Sequence, residues 1–185
     1  MDLPPLAPAS TPYGSDENGL ISGYRFVADQ GAQAIQSAEA LESISQAAQT
    51  GSAFVWLHFN LSHARAESWM QRHAGLPDDF FAALREGSRA SRIHRDENTV
   101  FAVINDVTFD FSFDAGDLAT LWVSVRPGLV VSARRHPLRG VDRLRAAVKR
   151  GERFESGIDL LDHLLRDQAD ELQAIVRKAS ERVDD

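Results

Sequence analysis

The stretch that organises this chain reads SGIDLLDHLLRDQADELQAIVRKASERVDD and occupies residues 156–185. Its apolar residues recur at intervals of three and four residues, or sums of these, which is the pattern of one helix face. They are Ile158, Leu161, Leu165, Leu172, Ile175, Ala179 and Val183. Ser156 followed by Asp159 resembles a capping box, in which side-chain oxygens accept the unpaired amide hydrogens of the first turn. No Gly or Pro follows the last turn, so the usual stop signals are missing.

The length of this helix is its most informative property. At 1.5 Å per residue, a helix over residues 156–185 would be about 45 Å long. A domain formed by a chain of 185 residues is too small to cover such a helix with its own core. We therefore expect a stalk helix that continues into a part of the protein beyond Asp185.

The amino-acid composition limits the classes of protein to which this chain can belong. The chain has 185 residues, 43% of them hydrophobic, which suffices for one domain and a helical extension. A formal net charge of −7 argues against a nucleic-acid partner, because phosphate contacts need a basic surface. Cysteine is absent, which excludes disulfides, thiolate metal sites and cysteine nucleophiles. No stretch has the eighteen or so apolar residues of a membrane span, and no signal peptide is visible, so we expect a soluble fragment.

The first half of the chain alternates strands with helices. Residues 1–19, with four prolines, are predicted to be a disordered tail. A strand over residues 21–28, a turn at Gly31 and a helix over residues 38–48 follow. The dense apolar run Ala53–Phe59 predicts the central strand, covered on both faces. Two helices come next, one capped by Ser62 and one opened by Pro77, and then an exposed polar link. The helices cover residues 62–72 and 76–87, and the link covers residues 88–98.

The sequence pattern in the second half of the chain predicts β-hairpins. Residues 100–104, 121–125 and 129–133 are apolar runs of strand length, and Pro127 with Gly128 suits a type II turn. Phe109, Phe111 and Phe113 alternate with polar residues, as in a sheet with one wet face. A further helix lies between Pro137 and Gly151. We predict an α/β (α+β) domain over residues 20–155, with a mixed sheet sandwiched between helical layers, followed by the stalk helix over residues 156–185.

Few residues suggest catalysis, and we predict that the protein is not an enzyme. His58 and His63 are five residues apart, which is not the spacing of a metalloprotease pair, and two ordinary structural histidines are the favoured interpretation. Neither a phosphate-binding glycine loop nor a nucleophile elbow is present. The basic segment 134–153 could bind anionic lipid or nucleic acid, but without interleaved aromatic residues a solvated helix face is favoured.

The stalk helix carries the most specific set of candidate ligands. Asp159, His163, Asp167 and Asp170 are spaced four, four and three residues apart, so they share one polar stripe. A histidine with carboxylates one turn away predicts a weak site for a divalent cation. Repeated around a symmetric assembly, the stripe would form rings of negative charge. The competing interpretation is ordinary surface charge, with Asp162 and Asp170 flanking Arg166 as helical ion pairs.

The order of these motifs resembles a known family, the CorA superfamily of divalent-cation transporters. Over residues 20–185 the chain is similar to the cytoplasmic N-terminal domain of that family, and most similar to its ZntB-type zinc transporters. The matching segments, in chain order, are FVWLHFN at residues 54–60, Ser62-His63, Trp69, Leu76-Pro77-Asp78, Ala83-Leu84, the Arg-rich link 89–95, LVVSAR at residues 129–134 and the Asp/His-rich start of the stalk helix.

The resemblance implies a funnel-shaped domain at the cytoplasmic face of the inner membrane, in a homopentamer around a central pore. It implies no cofactor other than zinc or magnesium as the transported or sensed ion. The partners would be other copies of the chain, divalent cations and, through a region absent here, the membrane. The Gly-Met-Asn motif of the family's pore is not in this chain, whose methionines are Met1 and Met70. The alternative is a free-standing regulatory or interaction domain whose terminal helix forms a coiled coil.

Overall fold

The computed structural model describes residues 14–87, 90–108 and 118–183. Its elements are β1 (Leu20–Val27), β2 (Gly31–Ile35), α1 (Ser37–Thr50), β3 (Ala53–Asn60), α2 (Ala66–His73), α3 (Asp78–Glu86), β4 (Arg92–Asp96), β5 (Thr99–Val107), β6 (Leu118–Arg126), β7 (Leu129–Arg134), α4 (Arg139–Lys149) and α5 (Gly157–Val183). The predicted α/β architecture is confirmed.

One mixed sheet joins all the strands, in the order β2-β1-β3-β7-β6-β5-β4. Only β3 and β7 pair in parallel among the described strands, and their register places Leu57 opposite Val131. The predicted hairpins are β5, β6 and β7, which pair as an antiparallel three-stranded meander. The run 53–59 is a strand with both faces buried, as predicted. The middle strand of the sheet is nevertheless its neighbour β7, because three strands lie on each side of β7 in this order.

Helical layers cover both faces of the sheet, which also confirms the prediction. On β3, Val55, Leu57 and Phe59 belong to the core that includes residues of α1, α2 and α3. The alternate side chains Phe54 and Trp56 belong to a second core with residues of α4 and α5. The two-residue period of a strand therefore sends successive side chains into two separate cores.

Both edge strands were missed by the sequence prediction. Residues 31–35, interpreted as a turn leading to a helix, form β2, which pairs with β1 from Gly23 opposite Ile35 to Val27 opposite Gly31. The polar link contains β4, whose five residues are all exposed, as predicted for the link. Neither edge strand has an alternating apolar pattern, because neither has a continuous buried face. Pairing with the neighbouring strand, rather than composition, makes them strands.

The helix boundaries also differ from prediction at α2. Ser62 does not cap this helix, which begins at Ala66. The Ser62 amide instead donates to Asn60 Oδ1 (3.0 Å), and its hydroxyl donates to the Arg135 carbonyl (3.4 Å). Because Ser62 is bonded elsewhere, residues 61–65 form turns before α2. In α3, by contrast, Pro77 occupies the N-cap position, at the start of the helix as predicted, and Phe80 and Phe81 are buried.

Two predicted features fall wholly or partly outside the described residues. The Phe109–Phe113 alternation and most of the tail, residues 1–13, are not described. Near the end of the predicted tail, Asp16 accepts amide hydrogens from Asn18, Leu20 and Ser37. Asp16 therefore ties the start of β1 to the start of α1.

The long helix α5 has two halves with different surroundings. Its buried stripe ends at Gln168 and consists of Gly157, Leu160, Leu161, Leu164 and Gln168. The predicted apolar stripe was partly wrong, since Ile158 is 52% exposed and Leu160 and Leu164 were omitted. Further along, Leu172 and Val176 are 42% and 63% exposed. The first half of α5 therefore belongs to the domain core, and the second half carries apolar side chains in solvent.

The start of α5 is fixed by capping and by a close approach to the sheet. The Asp159 amide donates to Ser156 Oγ (3.1 Å), and the Asp159 carboxylate accepts from the Glu155 amide (3.1 Å), much as the capping-box pattern predicted. A Cβ at Gly157 would lie 2.5 Å from Val130 Cγ2, so only glycine lets the helix come this close to β7. Over the described residues, no helix has the length and apolar content needed to cross a bilayer.

Candidate functional site

The four residues of the predicted metal-binding stripe lie in different surroundings along α5. Asp159 is occupied in the helix cap, and Asp170 is exposed. His163 is 26% exposed and lies between two carboxylates: its Nδ1 is 3.4 Å from Glu152 Oε1 and its Nε2 is 3.4 Å from Asp167 Oδ2. The structure thus brings His163 and Asp167 together and adds Glu152, from the loop before α5, which the sequence analysis missed.

The geometry around His163 limits what one chain can bind. The two carboxylates face opposite edges of the imidazole, so an ion on one ring nitrogen would reach only one of them. Across the described ranges, no three His, Asp or Glu side chains come close enough together to hold a metal ion. Asp162 forms the predicted ion pair with Arg166 (2.8 Å), a contact between exposed groups that contributes little stability. A cation would therefore be held by two ligands of one chain and would bind weakly.

A second cluster fixes α5 to α4. Glu171 accepts hydrogen bonds from Arg139 (2.8 Å) and from Arg143, and its side chain is only 12% exposed. Arg145 pairs with Asp142 (3.0 Å), and Arg134 is buried. The interpretation of segment 134–153 as a solvated basic face holds for the exposed Arg143, but it was wrong for Arg134, which is buried, and for Arg145, which is partly buried beside Asp142. Arg139 and Arg143 position α5 through Glu171.

Asp106, at the end of β5, is a buried acid that the sequence analysis missed. Its Oδ2 accepts from the Gly140 amide in the first turn of α4 (3.0 Å), and its Oδ1 accepts from the Val107 amide (2.8 Å). Burial raises the pKa of the Asp106 carboxyl, and the two amide hydrogen bonds oppose that rise. Beside it, Gln168 of α5 donates to the Asn105 carbonyl. The end of β5 is thus attached to both α4 and α5.

His58 is buried inside the second core, as expected of a structural histidine rather than a site. Its Nδ1 is 2.8 Å from Ser132 Oγ, which also accepts from Trp56 Nε1 (2.9 Å). Burial lowers the pKa of His58 well below its usual value, and the positive charges of Arg134 and Arg145 lower it further. His63 lies in the turn before α2, where its Nδ1 accepts from the Arg65 amide (3.3 Å).

The shifted pKa of His58 makes stability depend on pH. Because the folded pKa lies below the unfolded value of about 6.5, the unfolded chain binds the extra proton and the free energy of unfolding falls on acidification. We expect a loss of about 1 kcal/mol for each pH unit below about pH 6. Urea unfolding at several pH values should show this slope in the wild type and a flatter one in His58→Gln.

The matched control for this measurement is His94→Gln, since His94 is exposed on β4. It should keep the wild-type slope. The raised pKa of Asp106 acts in the opposite direction, adding stability as the pH falls towards its unfolded value, but it is common to all three proteins. Equal slopes in the wild type and His58→Gln would show that His58 does not carry the effect.

Comparison with known proteins decides the family. A family model described as CorA-like Mg²⁺ transporter protein matches residues 51–185, which is most of the chain. The chain belongs to this family. The predicted resemblance to the CorA superfamily is therefore confirmed, and the family is one of transporters rather than enzymes. A search of curated proteins found no match.

Solved structures share the fold of this CorA-like domain. Full-length CmaX matches with a TM-score of 0.79 and 20% identity, over 92% of this chain and 51% of CmaX. The ZntB cytoplasmic domain from Vibrio parahaemolyticus RIMD 2210633 has a TM-score of 0.68 and 14% identity, over 89% and 63% of the two chains. For the soluble domain of CorA from Methanocaldococcus jannaschii the values are 0.58, 13%, 90% and 63%.

These identities are low, so the structures establish likeness of fold. The CorA-like domain spans about half the length of CmaX.

Proposed function

We propose that this CorA-like domain is the cytoplasmic part of a divalent metal-ion transporter at the inner membrane, with zinc or magnesium as the ion. The observation that carries the proposal is the family match over residues 51–185. The described structure agrees with it, because α5 leaves the domain with Leu172 and Val176 exposed. In a full-length protein this half of α5 would be the stalk that leads to the membrane.

Self-association is part of the same proposal. Exposed apolar side chains on a helix that projects from its domain favour packing against equivalent helices, because apolar area leaves water. We propose a homopentamer in the full-length protein, with the α5 helices around a common axis. Asp167 and Asp170, the carboxylates of the predicted stripe that the helix cap does not use, would then repeat as rings of carboxylates that attract cations along that axis.

A second candidate function is a free-standing regulatory domain whose terminal helix forms a coiled coil. The same exposed residues of α5 favour it. The gene sequence beyond Asp185 separates the two: two apolar segments of about twenty residues, with Gly-Met-Asn at the end of the first, would support transport. A stop codon directly after Asp185 would overturn the transporter proposal.

Transport itself can be measured in a bacterium that lacks its own magnesium importers. The full-length protein should restore growth at low magnesium or, in the same cells, raise uptake of radioactive zinc. A version shortened to end at Asp185 is the matched negative control. Absence of both effects, with the full-length protein present in the membrane fraction, would contradict the proposal.

We also propose weak zinc binding at His163 with Asp167 or Glu152. Calorimetric titration of zinc into the wild type should give a saturable isotherm, and His163→Ala should lower the affinity at least about ten-fold, because the nitrogen ligand is lost. His94→Ala, which removes an exposed histidine on β4, is the control and should leave the isotherm unchanged. Identical isotherms for wild type and His163→Ala would reject this site.

A further inference from the structure

A cleft lies at the end of the sheet where β1 finishes and β3 begins, beneath the loop that joins α4 to α5. Its volume is about 320 Å³, at the lower end of the range of small-molecule sites. The floor is aromatic: the rings of Phe26 and Phe54 stack with centroids 4.4 Å apart, and Phe154 meets Phe26 edge-on at 5.9 Å. These three side chains are held in place by burial, so the floor is formed before any ligand arrives.

The rim of the cleft is acidic. Asp29, Glu152 and Glu155 line it together with one basic residue, Arg153, and all four are exposed. The rim therefore carries a net charge of −2, counted from three carboxylates and one guanidinium. Asp29 is held at a positive φ of 64°, in the tight turn between β1 and β2. A negative rim around an apolar floor is complementary to a ligand with a positive end and an apolar body.

The chemistry of the walls selects among ligand classes. A bare divalent cation needs several oxygen ligands around it, which an aromatic floor does not offer. Anions are disfavoured by the excess of carboxylates on the rim. We propose that this cleft binds a small organic cation, a protonated amine with an aromatic or aliphatic body, whose apolar part lies on the three phenylalanines and whose ammonium group faces the carboxylates.

The position of the cleft connects such a ligand to α5. Glu152 lines the cleft and also contacts His163 Nδ1 (3.4 Å), while the Phe154 ring lies edge-on to the His163 ring with centroids 5.3 Å apart. An ammonium group bound to Glu152 competes with His163 for the same carboxylate. Binding of a ligand in the cleft therefore changes the contacts of His163, which lies in the second turn of α5.

The experiment is an NMR titration of the chain with phenethylamine, compared at equal concentrations with phenethyl alcohol, which has the same body without the charge, and with methylammonium, which has the charge without the body. Phenethylamine should bind about ten-fold more tightly than either, and the shifted amides should be those of Asp29, Gly31 and Ser52. Equal binding of the amine and the alcohol, or shifts located elsewhere, would overturn the proposal.

Substitutions on the rim test the role of charge without touching the core. Asp29→Asn with Glu155→Gln should weaken phenethylamine about five-fold and leave phenethyl alcohol unchanged. Asparagine suits the positive φ at position 29, so the turn is preserved. Arg153→Gln should instead tighten amine binding about two-fold, a gain that loss of folding cannot imitate.

The matched control removes two exposed carboxylates outside the cleft, Glu42→Gln with Glu67→Gln, for the same change in net charge. It should leave amine binding within about 1.5-fold of the wild type at 0.15 M salt, because exposed charges more than about 8 Å apart are screened. An equal loss in this control and in the rim variant would show that only net charge matters, and would overturn the proposed site.

Discussion

Replacing Trp56 by alanine is expected to lower the free energy of unfolding by about 3–5 kcal/mol. Trp56 is 1% exposed in the middle of β3, and its ring stacks on Tyr24 with centroids 5.8 Å apart. Alanine would leave a cavity between the sheet and the layer of α4 and α5, and it would remove the hydrogen bond from Trp56 Nε1 to Ser132. A domain of this size is stable by about 5–15 kcal/mol, so the variant should be close to unfolding.

Urea unfolding followed by far-ultraviolet circular dichroism measures the effect without depending on tryptophan fluorescence. Trp56→Phe separates the two contributions: it keeps an aromatic ring and should lose only about 1–2 kcal/mol, from the smaller volume and the lost hydrogen bond to Ser132, whose hydroxyl still has His58 as a partner. Leu172→Ala is the surface control, since Leu172 is 42% exposed, and should change stability by less than about 0.5 kcal/mol. A loss below about 1 kcal/mol in Trp56→Ala would contradict the packing described for this core.

The second large effect is expected for Asp106→Ala, which should lower the free energy of unfolding by about 2–4 kcal/mol. The Asp106 side chain accepts from the Gly140 and Val107 amides, and alanine would leave both buried donors without it. The Gly140 amide is in the first turn of α4, where a carboxylate is also favoured by the positive end of the helix. Loss of Asp106 should therefore loosen α4 against β5.

Hydrogen exchange locates this effect, because the Gly140 and Val107 amides should lose protection before amides of β3. Asp106→Asn is the conservative variant: it keeps an acceptor oxygen and should lose about half as much stability. Glu171→Gln removes a charge from the neighbouring arginine cluster. It tests whether the loss of stability is specific to the Asp106 hydrogen bonds at the start of α4. If Asp106→Ala and Asp106→Asn lose equal stability, the hydrogen bonds to the two amides do not account for the effect.

The two substitutions act on one structural unit, the layer of α4 and α5 on the second core. Asp106, Gln168 and Glu171 attach that layer to β5 and attach the two helices to each other. Because α5 leads out of the domain, these contacts set its direction relative to the sheet. In the proposed transporter, a substitution that loosens them would alter the stalk as well as the stability of the domain.

Much of the architecture was predictable from patterns that act over short stretches. The buried run Ala53–Phe59, the meander strands β5, β6 and β7, and the capped start of α5 after Ser156 were each recognised because periodicity and capping are local. β2 and β4 were missed, since an edge strand exposed to solvent needs no apolar alternation. The predicted start of α2 at Ser62 was wrong because Ser62 forms hydrogen bonds with Asn60 and Arg135 instead of capping the helix. Arg135 is distant in sequence, so only the tertiary structure brings it to Ser62.

The candidate site was likewise predictable only where its residues are close in sequence. His163 and Asp167 could be paired from their spacing on one helix, but Glu152 joins them only because the loop before α5 folds back over the His163 ring. Asp106 had no sequence signal, as it is a lone acid at the end of an apolar strand. Its partner Gly140 lies 34 positions further along the chain.

By itself, the sequence determined the class of fold, the family and the presence of a helix longer than the domain needs, because these follow from local periodicity and from ordered motifs. Only the tertiary structure decided which half of that helix packs in the core and which half remains exposed. Burial of Leu160, Leu161 and Leu164 depends on the sheet face that Gly157 allows α5 to approach. Contacts between residues distant in sequence carry that information, and a linear pattern of apolar residues does not.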